Sequence, residues 1–268
     1  MFHDNTSIFT EIKKHTGFPI LATVIFRGRP RPVYCDVNGT NAHPFIDVHC
    51  HGIPASRDGI ALQHVEFDAL DRRDALDRRD ALPSPCSVGR HPWHAAAAWS
   101  DDDGRALTLL LERDECVALG EVGLDRVHGP TIERQRQLLE LQLDIAAGRF
   151  PVIFHCVRAH ADLMQLRKRR HAREPWILHG FSGHAELAGQ LLRMGFHLSF
   201  GAAVLSSGGA VRESLEVVPP ERLFLETDES GLDITLIYRA AAAARGCSEM
   251  ELRKTISANY QSVFGTWA

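Results

Sequence analysis

The chain has 268 residues, 44% of them hydrophobic and 24% charged, which suits one soluble α/β domain, since barrels of roughly 250 residues are common. A formal charge of −4 argues against a generally basic nucleic-acid coat, although bound divalent cations would reverse the field over a single pocket. No run approaches the roughly 18 apolar residues of a membrane helix, and the N-terminus lacks the charged, apolar and small-residue succession of a secretion signal. A cytoplasmic protein with no membrane part is expected. The cysteines (Cys35, Cys50, Cys86, Cys116, Cys156, Cys247) form no CxxC pair and read as reduced thiols.

Residues 1–42 stand apart from the rest. PILATVIF (Pro19 to Phe26) suits a strand, and the RGRPRPVYCDVNGTN that follows has the Arg, Pro, Gly and Asn content of a turn or linker. We expect an N-terminal extension over 1–42 and a second unit over 43–268. In that unit FIDVH is the first strand, IALQHVE (Ile60 to Glu66) a weak second, and PCSVGRHP contains the third. VALGEVG, PVIFH, WILHG, FHLSFG and RLFLETD supply strands four to eight.

Helices separate the later strands. Thr131 is placed to cap IERQRQLLELQLDIAAG, with Ile132, Leu138, Leu139, Leu141, Leu143 and Ile145 as its apolar side and Gly148 as its stop. HADLMQLRKRR, HAELAGQLLRMG and SEMELRKTISANYQSVFG are also amphipathic or capped. The alternation predicts a parallel sheet closed into an α/β (β/α)8 TIM-type barrel, open to distortion or incompleteness around strand two. The stretch from His51 to His91 is too short for two full strand–helix units. It holds a tandem repeat, ALDRRDALDRRDAL (Ala69 to Leu82), expected as an exposed helix laced by ion pairs.

Metal-ligand residues close five of these apolar runs: His49 and His51, Glu121, His155, His179 and Asp228. The carboxyl ends of parallel strands are where a β/α barrel keeps its chemistry. His49 and His51 are two residues apart, so both imidazoles project to one face and can grip one ion. Asp47 shares that face and is a candidate to orient an imidazole. Glu121, between Gly120 and Gly123, can bridge two cations and shield their repulsion, while Asp125 after it suits an Asx turn or helix entry as well as a ligand role. Asp228 can ligate an ion and take a proton from an attacking water.

In series, FIDVHCHG, SVGRHPWH, ALGEVGLD, PVIFHCVRAH, LHGFSG, LSFG, LETD and ANYQSVFG make the chain from about Phe45 to Trp267 resemble the TatD family of metal-dependent hydrolases. The resemblance implies a two-metal enzyme, with magnesium-dependent deoxyribonucleases among its members. His49, His51 and Asp228 would hold one ion, His155 and His179 the other, and Glu121 would bridge them. His91 and Arg158 would contact the scissile group of a DNA substrate, Arg by its planar fork. Metal choice among Mg, Mn and Zn stays open. The expected activity is phosphodiester hydrolysis by a metal-bridged hydroxide. Carboxyl ester, amide or aminoacyl-tRNA hydrolysis on the same scaffold is one alternative, and a non-catalytic metal-binding interaction protein is another. Where this chain has Arg90, the family usually carries a small or branched apolar residue, so a charge there is expected to enter the cleft or unsettle strand three.

Overall fold

The computed structural model describes residues 43–52, 59–69, 82–206 and 209–265, together with the backbone of 20–26 and 29–35. The last two segments are strands β1 (Ile20–Phe26) and β2 (Arg29–Cys35), paired antiparallel in a sheet of their own. β2 corrects the turn-or-linker expectation over Arg29–Cys35, RPRPVYC. Pro30 and Pro32 are two apart, and a two-stranded sheet leaves β2 one free edge to which both missing N–H groups can turn.

The remaining strands run parallel in chain order: β3 (Phe45–Cys50), β4 (Gly59–Glu66), β5 (Cys86–Gly89), β6 (Cys116–Asp125), β7 (Val152–Val157), β8 (Trp176–Leu178), β9 (Phe196–Phe200) and β10 (Leu223–Leu225). Just past β10, Asp228 closes the barrel onto β3. Its N–H donates to His49 O at 3.0 Å, and it forms a parallel bridge with Cys50. Closure therefore places one predicted ligand directly beside another. Strands covered on both faces are built from near-continuous apolar residues, and every residue of β6 is buried.

All eight predicted barrel strands are present. The weak second strand is a correction: β4 is eight residues long and pairs with both β3 and β5. It read as weak because Gln63, His64 and Glu66 interrupt its apolar run. The DRRDAL repeat falls almost wholly outside the described residues.

The helical layer contains α1 (Asp101–Leu111), α2 (Ile132–Ala146), α3 (His160–Arg170), α4 (Ala185–Arg193), α5 (Gly209–Val217), α6 (Ile234–Arg245) and α7 (Glu249–Phe264). Ser100 and Ser248 start α1 and α7 with capping boxes. α6 locks onto the barrel through Tyr238, whose hydroxyl donates to Ile46 O and accepts from Ile46 N–H, both at 3.1 Å.

α2 departs from its predicted apolar face. Leu141 is exposed, while Gln135 and Gln142 are buried with Leu138, Leu139 and Leu143. The two glutamines lie seven apart and hence on one face, and each satisfies peptide groups where a strand leaves the ladder. Gln142 accepts from Arg90 N–H at 2.7 Å and donates to Arg90 O at 3.1 Å. Gln135 accepts from Asp125 N–H at 2.6 Å and donates to Asp125 O at 2.8 Å.

Arg90 neither enters the cleft nor unsettles β5. Its guanidinium is fully buried in the helical layer, over the rings of Trp99 (4.8 Å) and Phe67 (5.3 Å) and 2.6 Å from Asp68 Oδ1. The charge is carried by aromatic faces and a carboxylate instead of by solvent.

Candidate metal centre

Alternation along β3 sends Ile46, Val48 and Cys50 one way and Asp47, His49 and His51 the other. β6 meets them through Glu121, whose approach depends on glycine at the next turn of the pleat. Gly123 has φ of +158°, and a Cβ there would lie 1.9 Å from His155 O. Only glycine lets β6 and β7 come that close.

Glu121 divides its two oxygens between two groups of imidazoles. Oε2 lies 3.1 Å from His49 Nε2 and 3.3 Å from His51 Nε2. Oε1 lies 2.7 Å from His179 Nε2, 2.8 Å from His155 Nδ1 and 3.2 Å from His91 Nε2. Asp228 completes the first group, with Oδ1 at 3.5 Å from His51 and 3.7 Å from His49. Ligand atoms of His49, His51 and Asp228, of His49, Glu121 and His179, and of His91, Glu121 and His155 are each near enough to share an ion.

Charge follows this geometry. Burial alone would raise the Glu121 carboxyl, but the imidazoles of His179 and His49 and hydrogen bonds from His155 and His179 hold it well below the usual range. Burial opposes a charge on His179, yet Glu121 and Glu226 raise it well above an ordinary histidine. His49 is lowered by burial and by the neighbouring His179. Fully buried His49 has no partner for Nδ1 among the described residues, and its Nε2, though 3.1 Å from Glu121 Oε2, makes no well-aligned hydrogen bond. Buried imidazoles around a carboxylate, with an orphaned ring at the centre, are a donor set that fits divalent cations.

Residues that carried no sequence signal support this centre. Glu121 N–H donates to His64 Nδ1 at 2.7 Å, and His64 Nε2 lies 3.5 Å from Glu66 Oε2. Glu66 also accepts from His91 N–H at 3.3 Å and faces His94 Nδ1 at 3.3 Å. Fully buried Glu226 lies 3.5 Å from His179 Nδ1, so that ring is held between two carboxylates. Asp125 does make the Asx turn, accepting from Val127 N–H and His128 N–H. Its other oxygen accepts from Trp93 Nε1 at 2.7 Å and lies 3.2 Å from His155 Nε2. Burial opposes the Asp125 charge, but the Trp93 N–H and the two backbone N–H groups hold its pKa down to about 2.

Asp47 does not orient an imidazole. It accepts from Thr227 N–H (2.9 Å) and Thr227 Oγ1 (2.5 Å), fixing the residue before Asp228. His91 is brought to the centre, and its Nδ1 accepts from Trp93 N–H as it caps a 3₁₀ turn at Pro92–His94. Arg158 is not: it is exposed at the end of β7 with φ of +53° and is not among the cavity-lining residues. A cavity of about 400 Å³ opens over the centre. Six imidazoles (His51, His64, His91, His94, His155, His179), four carboxylates (Glu66, Glu121, Asp228, Glu229) and Trp93 line it.

A family model described as TatD related DNase matches residues 46–265. A 3′-5′ ssDNA/RNA exonuclease TatD from Dickeya dadantii is 36% identical over 153 residues, 53% of this chain and 55% of that protein. One from Citrobacter koseri is 30% identical over 207 residues, 67% of this chain and 77% of its own length. The chain thus spans little over half the length of several curated relatives it matches. Among solved structures, the TatD homologue YjjV of Escherichia coli K12 superimposes with a TM-score of 0.71 at 25% identity, covering 83% of this chain and 98% of that one. A TatD family hydrolase from Entamoeba histolytica gives 0.68 at 19% identity, over 84% of this chain and 99% of that one, and speaks for the fold alone.

Proposed function

The chain belongs to the TatD-related DNase family, and from that premise we propose that it is a divalent-metal-dependent hydrolase that cuts phosphodiester bonds in nucleic acid. The division of Glu121 carries the reading: one carboxylate presents separate oxygens to separate clusters of imidazoles. In this assignment His49, His51 and Asp228 hold one ion, His155 and His179 a second, and Glu121 bridges them. Mg, Mn and Zn are all compatible with mixed imidazole and carboxylate donors. Ions bound there supply Lewis acidity to the phosphate and lower the pKa of an attacking water.

The chain's own residues do the positioning. His64 and Glu226 hold Glu121 and His179 from behind, so the donors need little rearrangement when the site is loaded. Asp228 is part-exposed at the cavity mouth, where a carboxylate can take the proton of the incoming water. His91 and Arg158 are assigned to the scissile phosphate, Arg158 from an exposed place at the end of β7. Residues 1–42 are assigned to an extension outside the hydrolase barrel of 43–268, in keeping with a family match that begins at residue 46. The described cysteines are free thiols, which suits the cytoplasm. No helix among the described residues is long and apolar enough to cross a membrane.

One observation favours a second reading, hydrolysis of carboxyl esters or amides. Neither Lys nor Arg is found among the described lining residues, so a neutral substrate meets no penalty for the missing permanent cation. The assay that decides uses 5′-labelled single-stranded oligonucleotides alongside an ester panel, with Mg²⁺ or Mn²⁺ added. Metal-dependent shortening of the oligonucleotide, lost by at least 100-fold in Glu121→Ala, is the expected result. Ester cleavage alone, or equal nuclease activity in the variant, overturns it.

A further inference from the structure

Trp93 is the one indole among the described residues of a cavity otherwise lined by imidazoles and carboxylates. It is 46% exposed, whereas Trp176 is fully buried. A single exposed apolar side chain is ordinary, but this one is held rigidly from several directions. Its Nε1 donates to Asp125 Oδ2 at 2.7 Å, and its backbone N–H donates to His91 Nδ1 at 3.3 Å. Gly129 lies against it, so closely that a Cβ there would fall 3.0 Å from Trp93 Cα and 3.3 Å from Cδ1. The rings of His91 and His155 stand nearly perpendicular to the indole, at 83° and 78°, with centroids 4.7 and 5.8 Å away.

Those two imidazoles also face Glu121 Oε1, at 3.2 and 2.8 Å. Asp125 ties the assembly together, since the oxygen that anchors the indole also lies 3.2 Å from His155 Nε2. An aromatic surface is thus fixed one imidazole away from the proposed phosphate position. A nucleobase is one sugar away from its phosphate, and stacking on an aromatic ring is its commonest sequence-tolerant contact in single-stranded binding sites. Pinning the ring before the ligand arrives removes part of the entropic cost of binding.

We propose that Trp93 is the stacking platform for the nucleobase next to the scissile phosphate, forming a base-binding subsite beside the metal centre. This deepens the nuclease reading and rests on it for the position of the phosphate. The test is calorimetric titration of the full-length protein, with Mg²⁺ present, using a 2′-deoxynucleoside 5′-monophosphate and deoxyribose 5-phosphate. The sugar phosphate carries a hydroxyl where the nucleotide carries its base. The wild type is expected to bind the nucleotide roughly 5- to 100-fold tighter than the sugar phosphate. Trp93→Ala brings the two to within about 2-fold. Trp93→Phe, which keeps a ring but not the Nε1 donor, retains most of the preference and controls for misfolding.

Equal or undetectable binding of both ligands by the wild type, or a preference that survives Trp93→Ala, overturns the subsite. The oligonucleotide assay separates the two claims. A Trp93-dependent base preference in a protein that leaves oligonucleotides uncut removes the nuclease reading and keeps the subsite. Cleavage without base preference does the reverse.

Discussion

A methyl group on Gly123 would meet the His155 carbonyl at 1.9 Å, so the alanine variant must push β6 from β7 at the point where Glu121 and His155 converge. Gly123→Ala is expected to destabilise by about 1–3 kcal/mol and to weaken metal binding as well, read by urea unfolding and metal titration. Wild-type values for both would contradict the close approach. The ligand-type residues at this scale were legible because a strand repeats every two residues and stops at a glycine or a turn. His49, His51, Glu121, His155, His179 and Asp228 each stood at such a stop, and barrel closure brings them together. His64, Glu66, His94 and Glu226 were not legible as site residues. Each reaches the centre only through contacts between strands or turns distant in sequence, which spacing within one segment cannot reveal. Asp47 shows the converse: its face was read correctly, but its partner, Thr227, lies 180 positions away.

Among the elements, β4 is the instructive one. A strand whose downstream half reads Gln63, His64, Val65 and Glu66 looks weak by apolar content, yet His64 and Glu66 form part of the wall of the cavity. Arg90, just past β5, was read as a threat to its strand for the same reason. Its charge is matched by Asp68 and by the faces of Trp99 and Phe67, residues far enough along the chain to escape a local reading. Removing it leaves a cavity in the helical layer, while the Asp68 carboxylate stays partly open to water. Arg90→Ala is expected to cost about 2–4 kcal/mol, measured by denaturant unfolding, and a loss under about 1 kcal/mol would contradict the packing described.

β9 carries a pH-sensitive element on the barrel. His197 is buried, and burial, with Arg222 and Arg167 nearby, lowers its pKa from 6.5 to about 4. The unfolded chain therefore takes up a proton that the folded chain refuses between those values. Stability is fully present above about pH 6.5 and falls as pH drops toward 4, by roughly 3 kcal/mol at most from this residue. His197→Phe is expected to flatten that part of the stability–pH curve. An unchanged slope between pH 6.5 and 4 would show that His197 is not the source.

For the whole molecule, the family's barrel was legible because eight apolar runs follow one another with helical spacers. Residues 1–42 stood apart only by a change of composition, and β2 hid behind its prolines. The overall charge of −4 says little about the substrate, because the balance that matters is local. The cavity's four carboxylates are offset only in part by the charge on His179, and the two divalent ions proposed for the centre would add four positive charges. A polyanion therefore faces strong repulsion in the stripped protein and much less in the loaded one. Chelation is expected to abolish both cleavage and measurable oligonucleotide binding, and Mg²⁺ or Mn²⁺ to restore them. Retention of oligonucleotide at full affinity in chelator would place the binding surface outside this cavity.

The paired-ion centre proposed around Glu121 is tested most directly by counting metal. Protein equilibrated with Mn²⁺, freed of unbound ion and analysed by elemental mass spectrometry should carry about two ions per chain, and Glu121→Gln fewer than one. A wild type without stoichiometric metal, or a variant that retains the full complement, would contradict the account.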